Sequence, residues 1–455
     1  MEETVQRENK MGTTPILRLI LSMSIPAMFS MTIQALYNVV DSVFVGNIEN
    51  TGGEALTALS LAFPLQMLMV AVGVGTGVGI NSLVSRRLGQ KNFKEADDAA
   101  THGLILALFS WVIFFLIGLF FTNTFFRLFT NNEIIVNYGV QYTSIVLIFS
   151  VFAFFQINIE KTLQATGNMI FPMLFQLTGA ITNIILDPLL IFGIGPFPKL
   201  EIAGAAIATV IGQAFAMIFS IIILFAKKHD VKVSLKNFRI NWYTVRNIYA
   251  VGFPSIIMQS IGSVMILGMN AILISFSDLA VSVLGVYYKL QSFVFMPVFG
   301  LNQGVMPIIG YNYGARNKKR MYSALKYGVM IAMIIMAVGV VIFWLFPEFL
   351  LGLFDNTGEL VSIGVGAFRT ISLCFVPAAA GIMFTTLFQA VGKGLRSLFM
   401  SFLRQLILIL PIAYLMSKIG LSFVWYAFPI AEAGSLLAAI LLFLNLVKGD
   451  FKKLG

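Results

Sequence analysis

The sequence predicts an all-α membrane protein with twelve transmembrane helices in two pseudo-symmetric six-helix lobes, parallel repeats around a central cavity. Of its 455 residues, 58% are hydrophobic and only 11% are charged, whereas soluble domains carry roughly 25% charged residues. Apolar runs long enough to cross about 30 Å of hydrocarbon recur along the whole chain. An internal repeat divides these runs into two sets of six. Lipid is therefore the main solvent that the sequence predicts.

The apolar runs are continuous and long, which is typical of transmembrane helices. In chain order, we expect spans at about residues 16–46, 54–85, 97–121, 134–164, 170–193, 202–227, 245–276, 280–310, 322–346, 359–390, 396–417 and 421–447. These spans define an N-terminal tail (1–15), an N-lobe of spans 1–6 (16–227), a linker (228–246), a C-lobe of spans 7–12 (247–447) and a C-terminal tail (448–455).

The sequence repeats itself at a nearly constant offset. Leu88–Asn92 matches Tyr313–Asn317, and the same offset aligns Gln164–Gly167 with Gln389–Gly392. Because each repeat has six spans, both repeats start on the same side of the membrane and are related by an axis along the membrane normal. Two such lobes with a cavity between them are the architecture of alternating access. A duplicated scaffold without a transport role is the alternative.

The net charge of +10 is unevenly distributed over the predicted topology. Most of the 30 lysines and arginines fall on the side of the two termini, a group in which we include Lys161 and Arg404 as flanking residues. The opposite side has only Arg127, Lys199 and Lys418. Cytoplasmic segments of membrane proteins are rich in Lys and Arg, so we expect both termini in the cytoplasm and no nucleic-acid partner.

The sequence predicts no cofactor. Cys374 is the only cysteine, which excludes an intrachain disulfide and a cysteine-rich metal site. The two histidines, His102 and His229, fall near predicted membrane edges.

Ionisable residues inside spans are costly and usually functional. Asp41 on span 1 shares a helix face with Gln34 and Asn38, and Asp187 on span 5 shares one with Asn183. Both aspartates lie toward the same ends of spans that run in the same direction, so they can meet at similar depth. Two carboxylates with amide oxygens could bind a small cation or protons. Alternatively, the asparagines bond across helices and the aspartates cap kinks.

Other intramembrane residues have less defined roles. We expect Gln34, Asn38 and Glu160 to contact substrate or support the site, and Pro26 to act as a hinge in span 1 because proline permits a helix to bend. Lys289, Arg369 and Glu432 form internal pairs or lie at the cavity wall.

Four segments together resemble the multidrug and toxic compound extrusion (MATE) family: Val40–Gly46, Leu163–Asn168, Asn183–Pro188 and Gly204–Thr209. The resemblance covers nearly the whole chain and is strongest to bacterial and archaeal members of the DNA-damage-inducible branch and its multidrug-exporting relatives.

The resemblance implies a cation site in the N-lobe. Its residues would be Asp41, Asn183, Asp187 and Thr209, which would bind Na⁺ if the transporter is sodium-coupled. Other members place acidic residues on spans 7 and 10, where this chain has Gly262 and no central acid.

The expected function is secondary active efflux of small, often cationic amphipathic compounds by antiport with H⁺ or Na⁺. The alternative is a flippase for a lipid-linked precursor, which would need a large cationic cavity. A membrane-embedded enzyme is disfavoured because no span carries a paired nucleophile and base, and duplicated lobes favour a carrier over a channel. We expect a monomeric, multi-pass protein of a prokaryotic inner membrane, with small-molecule drugs or organic cations and the lipid bilayer as its partners.

Overall fold

The fold comes from a computed structural model. The structure describes residues 9–48, 52–236, 238–354 and 358–454, and within these ranges it leaves out the side chains of residues 38, 39, 42 and 453. The described residues form helices joined by short turns.

Ten helical segments are long and apolar enough to cross a membrane, and two bent helix pairs bring the described spans to twelve. The N-lobe spans are Ile16–Gly46, Gly52–Gly89, Phe93–Phe120, Glu133–Ile148 with Val151–Ala165, Ile170–Phe192 and Glu201–Ala226. The C-lobe spans are Trp242–Leu273, Asp278–Gly314, Lys318–Leu345, Glu359–Ser372 with Phe375–Ala390, Gly394–Ser417 and Leu421–Lys448. The predicted fold class is confirmed, and every predicted span lies within a few residues of its observed position.

Spans 4 and 10 are broken, which the hydropathy pattern does not reveal. Span 4 bends by 47° and span 10 by 46°. A short helix precedes each of them, Thr122–Phe129 in the N-lobe and Pro347–Gly352 in the C-lobe. The breaks occupy corresponding positions in the two repeats, so they are part of the structure that the two lobes share.

Glycines allow the two lobes to approach each other closely. A Cβ at Gly79 of span 2 would collide with the carbonyl of Ile248 on span 7, and a Cβ at Gly304 of span 8 would collide with Ser24 on span 1. Gly79 and Gly304 are equivalent in the sequence repeat. The interface is therefore two-fold symmetric, like the contact between identical subunits of a dimer.

The same symmetry holds where spans 2 and 8 end. A Cβ at Gly89 would meet the carbonyl of Tyr311, and a Cβ at Gly314 would meet that of Arg86. Gly89 thus packs against span 8 about one turn before Gly314, and Gly314 packs against span 2 about one turn before Gly89. These reciprocal contacts explain why the two glycines recur in the repeat.

Both chain termini lie on one side of the helix array, which we call the terminal side. The amide of Asn312 donates to the carbonyl of Met11 (3.1 Å), and the ring of Phe451 packs against that of Tyr313 (5.9 Å between centroids). Residues 312 and 313 are neighbours at the end of span 8. The glycine contacts between the lobes all lie in the span halves nearest this side.

The segment that leads into the C-lobe is bound to the N-lobe. Within residues 228–246, the backbone N–H of Lys232 donates to Asp97 Oδ1 (2.7 Å) and the Thr244 hydroxyl donates to Asp98 Oδ2 (2.8 Å). Asp97 and Asp98 lie in the first turns of span 3. The predicted linker therefore packs along the terminal side of the N-lobe.

The segment that leads into the N-lobe is bound, conversely, to the C-lobe. Arg320 at the start of span 9 donates to the carbonyls of Met11 (3.0 Å) and Thr14 (2.6 Å). Each lobe therefore contacts the lead-in segment of the other, and the segment before span 1 also contacts its own lobe, since Asn9 donates to the carbonyl of Thr166 (3.1 Å).

Candidate functional site

Two carboxyl groups from different helices meet inside the N-lobe. Asp41 on span 1 is 8% exposed and Asp187 on span 5 is fully buried. Their carboxyl groups lie within hydrogen-bonding reach of each other. Two ionised carboxylates at this separation repel each other strongly, so the arrangement favours a proton or a cation between them.

Uncharged polar groups surround the pair. The side-chain amide of Asn183 donates to Asp187 Oδ1 (3.2 Å) and to the Thr209 hydroxyl (3.3 Å). The hydroxyl of Tyr37, one turn before Asp41 on span 1, is hydrogen-bonded to Thr209. We call Asp41, Asn183, Asp187 and Thr209 the acid cluster.

Three oxygens of the acid cluster lack a hydrogen-bond donor among the described residues: Asp41 Oδ1, Asn183 Oδ1 and Asp187 Oδ2. A buried acceptor without a partner costs free energy, about 1–3 kcal/mol for a neutral group and more for a charged one. Protons on the carboxyls, or one hard cation bound by several of the oxygens, would remove this cost. The cluster can therefore hold H⁺ or a small cation.

The remaining predicted site residues of span 1 have different positions. Gln34 is exposed, and the side chain of Asn38 lies outside the described residues. Pro26 lies inside the continuous helix Ile16–Gly46. It precedes the turn in which Met28 packs against the other lobe, since a Cβ at Gly300 would come within 2.5 Å of the Met28 Cα.

A cavity of about 400 Å³ lies between the lobes. Its wall combines methionine and phenylalanine side chains with amides and hydroxyls from both lobes. The residues lining it are Met31, Val74, Val78, Asn81, Lys161, Gln164, Ser255, Met258, Gln259, Phe299, Asn302, Gln303, Met306, Gly381, Ile382, Thr385, Gln389, Met400, Ser401, Arg404 and Ser435. None of the acid-cluster residues belongs to this lining, so the acid cluster and the cavity are separate in the described part of the chain.

Glu160 belongs to a buried polar network beside the cavity. It accepts hydrogen bonds from the amides of Gln156 (2.8 Å), Gln164 (3.0 Å) and Gln176 (3.1 Å), and its carboxylate lies 3.3 Å from the ammonium of Lys161. Lys161, counted among the flanking residues of the terminal side, lies four residues before the end of span 4. Its side chain is nevertheless only 7% exposed, because the network satisfies its charge.

Arg404, expected at a cytoplasmic flank, lines the cavity and lies 3.6 Å from Glu432 of span 12. Lys289 and Arg369 lie within spans 8 and 10 as expected. Both are exposed and neither belongs to the described cavity lining. The ammonium of Lys289 lies over the ring of Phe354 (5.8 Å).

Sequence reasoning missed several of these residues although some carried a signal. Tyr37 precedes Asp41 by one helical turn and so shares its face. Lys161 directly follows Glu160 in the sequence. Gln303 directly precedes Gly304, one of the interface glycines that recur in the repeat, and its Oε1 accepts from Lys161 (3.1 Å). Arg404 gave no such signal, because its ion pair with Glu432 joins two separate spans.

A duplicated twelve-span frame, with a cavity between the lobes and a buried acid pair in one of them, defines a membrane carrier. The family model described as MatE matches residues 26–189 and 254–415, which together exceed half of the chain. The protein belongs to this family, as the resemblance indicated, and is a transporter rather than an enzyme.

Individual relatives are similar over nearly their full length. The chain is 27% identical over 420 residues to a multidrug export protein, MepA, of Staphylococcus saprophyticus, covering 92% of this chain and 91% of that protein. A structure described as the outward-facing conformation of a multidrug resistance MATE family transporter has a TM-score of 0.92 and 26% identity, covering 99% of this chain and 100% of that one.

A third similar structure is a MOP superfamily transporter from Pyrococcus furiosus. It has a TM-score of 0.90 and 26% identity, and the match covers 99% of each chain. It is described as having a binding pocket of reverse polarity that suggests a different function.

Proposed function

We propose that this protein is a secondary active exporter that moves small amphipathic compounds out of the cell in exchange for H⁺ or Na⁺ bound at the acid cluster. The observation that carries the proposal is the contact between Asp41 and Asp187, which are buried on different spans. One oxygen of each carboxyl group and the Asn183 side-chain oxygen have no donor among the described residues. A site of this kind changes its charge when it gains or loses one cation. The change in the charge of the acid cluster can stabilise one arrangement of the two lobes relative to another.

The coupling acts through the two helices that bring the carboxyls together. When H⁺ or Na⁺ occupies the cluster, the repulsion between Asp41 and Asp187 is relieved and spans 1 and 5 can pack closely. When the cation leaves, the helices separate or a positively charged group takes its place. Span 1 also carries Pro26 and the contact of Met28 with Gly300, so a bend at Pro26 would transmit the change to the interface between the lobes.

The terminal side is assigned to the cytoplasm. The concentration of Lys and Arg on that side supports the assignment. The glycine contacts join the lobes there, so the described arrangement corresponds to a carrier closed toward the cytoplasm. Similarity to a transporter described as outward-facing supports the same state. The protein would function as a monomer in a prokaryotic inner membrane, because its single chain supplies both lobes.

The substrates are small compounds, including organic cations. The name of the staphylococcal relative, a multidrug export protein, supports a broad range. A cavity of about 400 Å³ lies within the size range of pockets for drug-sized ligands, roughly 300–1,000 Å³. Methionine side chains on its wall are flexible and polarizable, which suits binding of varied apolar shapes.

The alternative of a lipid-linked precursor flippase is favoured by one observation, the presence of Lys161 and Arg404 on the cavity wall. Basic groups there could contact a pyrophosphate. The enclosed volume of the cavity favours small compounds.

The test is transport in proteoliposomes, with a pH gradient and a sodium gradient imposed separately on wild type and on Asp187→Asn. We expect one gradient to drive dye export in wild type. The substitution keeps the size of the side chain but removes its charge, so it should reduce the gradient-driven rate at least tenfold, which corresponds to about 1.4 kcal/mol.

The matched control is Asp278→Asn, which changes an exposed carboxylate at the start of span 8 and should transport at the wild-type rate. Gradient-driven export by Asp187→Asn at the wild-type rate, from protein that is monodisperse and correctly inserted, would remove the acid cluster from the mechanism.

A further inference from the structure

The charged groups on the wall of the central cavity are basic. Among the described residues that line it, Lys161 from the N-lobe and Arg404 from the C-lobe are charged, and the other polar groups are amides and hydroxyls. The acid cluster is not part of this wall. The cavity and the ion site therefore have opposite electrostatic character.

In the N-lobe, a carboxylate lies behind the basic group. Glu160 receives amide hydrogen bonds from Gln156, Gln164 and Gln176, so most of its acceptor capacity is already used within the protein. Lys161 is bound to it at 3.3 Å and is present in the lining, whereas Glu160 is not. The three N–H donors of Lys161 are used by Glu160, Gln164 and Gln303, so Lys161 contributes positive charge to the wall.

The C-lobe repeats this arrangement with different residues. Arg404 is 26% exposed and lines the cavity, and Glu432, whose side chain is 6% exposed, lies behind it at 3.6 Å. Gly381 leaves room for this carboxylate, because a Cβ there would be 3.2 Å from Glu432 Oε1. A guanidinium has five N–H donors, more than one carboxylate oxygen can accept at ion-pair distance.

Arg404 also lies in an irregular part of its helix. Residues Leu403–Ile409 of span 11 form a π-helical segment, and such segments occur frequently at functional sites because they re-aim side chains. Gln405, the next residue, is buried with its Oε1 3.4 Å from where a Cβ of Gly262 would lie. The irregular turn thus places consecutive residues toward the cavity and toward span 7.

We propose that the cavity recognises an anionic group on its amphipathic substrates, a carboxylate, sulfonate or phosphate that binds the guanidinium of Arg404, with Lys161 adding positive charge to the same wall. The inference rests on the proposed export function and specifies its substrate class as anions and zwitterions, which bind better than cations of the same shape. Coulomb energy falls with distance, so the nearer bases outweigh the carboxylates behind them. The apolar part of the substrate packs on the methionine and phenylalanine side chains of the wall.

The test is equilibrium binding to the purified full-length protein in detergent, measured by fluorescence anisotropy. The probes are a rhodamine dye with a free carboxylate and its ethyl ester, which share one ring system and one cationic charge. In wild type we expect the acid to bind about tenfold more tightly than the ester. Equal or weaker binding of the acid in wild type would overturn the proposal without any variant.

Two charge-balanced variants locate the site. Arg404→Gln with Glu432→Gln, and Lys161→Gln with Glu160→Gln, each remove a whole ion pair, so no buried charge is left without a partner. Each should weaken binding of the acid dye several-fold and change binding of the ester less than about twofold. Equal weakening of both dyes would contradict the assignment. Lys289→Gln, an exposed lysine outside the cavity, is the control and should change neither.

Two further arms complete the experiment. Competition by farnesyl pyrophosphate distinguishes a lipid-borne anionic group from a soluble one. If it displaces the acid dye at much lower concentration than soluble carboxylates do, the anionic group that the cavity selects belongs to a lipid.

The folding of each variant is checked by its melting temperature. If a double variant unfolds, Arg404→Lys is used instead; it retains the positive charge and should retain the preference for the acid. Because binding needs no ion gradient, loss of the acid preference and loss of coupled transport are separate results.

Discussion

At corresponding positions of the two lobes, span 1 carries Asp41 and span 7 carries Met269. The correspondence follows from counting along both spans from their equivalent prolines, Pro26 and Pro254. Asp41 contacts a second carboxyl group, whereas Met269 is fully buried in an apolar cluster. Equivalent helices thus carry a buried acid pair in one lobe and apolar packing in the other.

A second pair of positions diverges beside the cavity. In the N-lobe, Gly77 on span 2 faces Lys161 on span 4, and a Cβ at Gly77 would lie 2.5 Å from the Lys161 Cγ. The equivalent residues of the C-lobe are Asn302 and Thr386, which are hydrogen-bonded at 2.7 Å. The glycine is needed only where the long basic side chain must fit.

These differences separate what is repeated from what is not. The helices, their breaks and the glycines of the interface recur in both lobes. The charged groups do not recur at equivalent positions: the buried acid pair lies in the N-lobe, while each lobe contributes one base to the cavity. Substitutions of the interface glycines should therefore have equal effects in the two lobes. Substitutions beside the charged groups should have different effects in the two lobes.

The largest effect is expected at the interface glycines. Gly79→Ala and Gly304→Ala each introduce a methyl group against the backbone of the other lobe, an overpacking that costs about 1–3 kcal/mol. Both should shift the lobes toward separation at the terminal side and slow transport about tenfold. The distance between spin labels at Gln90→Cys and Ala315→Cys, two exposed and equivalent sites, measures the separation, since Cys374 is buried.

Two glycines in the same spans are matched controls. A Cβ at Gly53 of span 2 or Gly285 of span 8 would meet no atom within 4 Å among the described residues. Alanine at either position should leave the distance unchanged. A large effect of Gly79→Ala without a comparable effect of Gly304→Ala would break the symmetry of the interface.

A smaller effect is expected from Gly77→Ala, which acts in one lobe only. The added Cβ displaces Lys161 from its contacts with Glu160 and Gln303. The free energy of unfolding should fall by about 1–2 kcal/mol, within the range for overpacking, and binding of a carboxylate-bearing dye should weaken. Thermal unfolding with Gly53→Ala as reference measures the first change. Unchanged stability and unchanged dye binding would show that Lys161 does not depend on this glycine.

The smallest effect is expected from Asn302→Ala at the equivalent C-lobe position. It removes one neutral hydrogen bond to Thr386, which contributes about 0.5–1.5 kcal/mol. The thermal unfolding experiment used for Gly77→Ala applies, and dye selectivity should be unchanged because no charge moves. If Asn302→Ala lowered the free energy of unfolding more than Gly77→Ala does, the predicted order of the two effects would be wrong.

The sequence predicts the frame well because span length and the repeat depend on local and periodic patterns. Asp41, Asn183 and Asp187 could be proposed together since their helix faces and depths follow from spacing. The burial of Lys161 was not predicted, because hydropathy treats a lysine near a span end as a flank. Hydropathy also does not register the amides that bind its partner Glu160. The pairing of Arg404 with Glu432 depends on how spans 11 and 12 pack, which no spacing within one helix reveals.

The exchange of lead-in segments between the lobes has a mechanical consequence. Residues 10–14 are fastened to the lobe they do not enter, and so is the stretch near Lys232. Asn9 also donates to Thr166 of the N-lobe, and Thr244 in the first turn of span 7 is hydrogen-bonded to Asp98 of the N-lobe. Both lead-in segments therefore join the two lobes. A rocking motion that separated the lobes at the terminal side would have to break these hydrogen bonds.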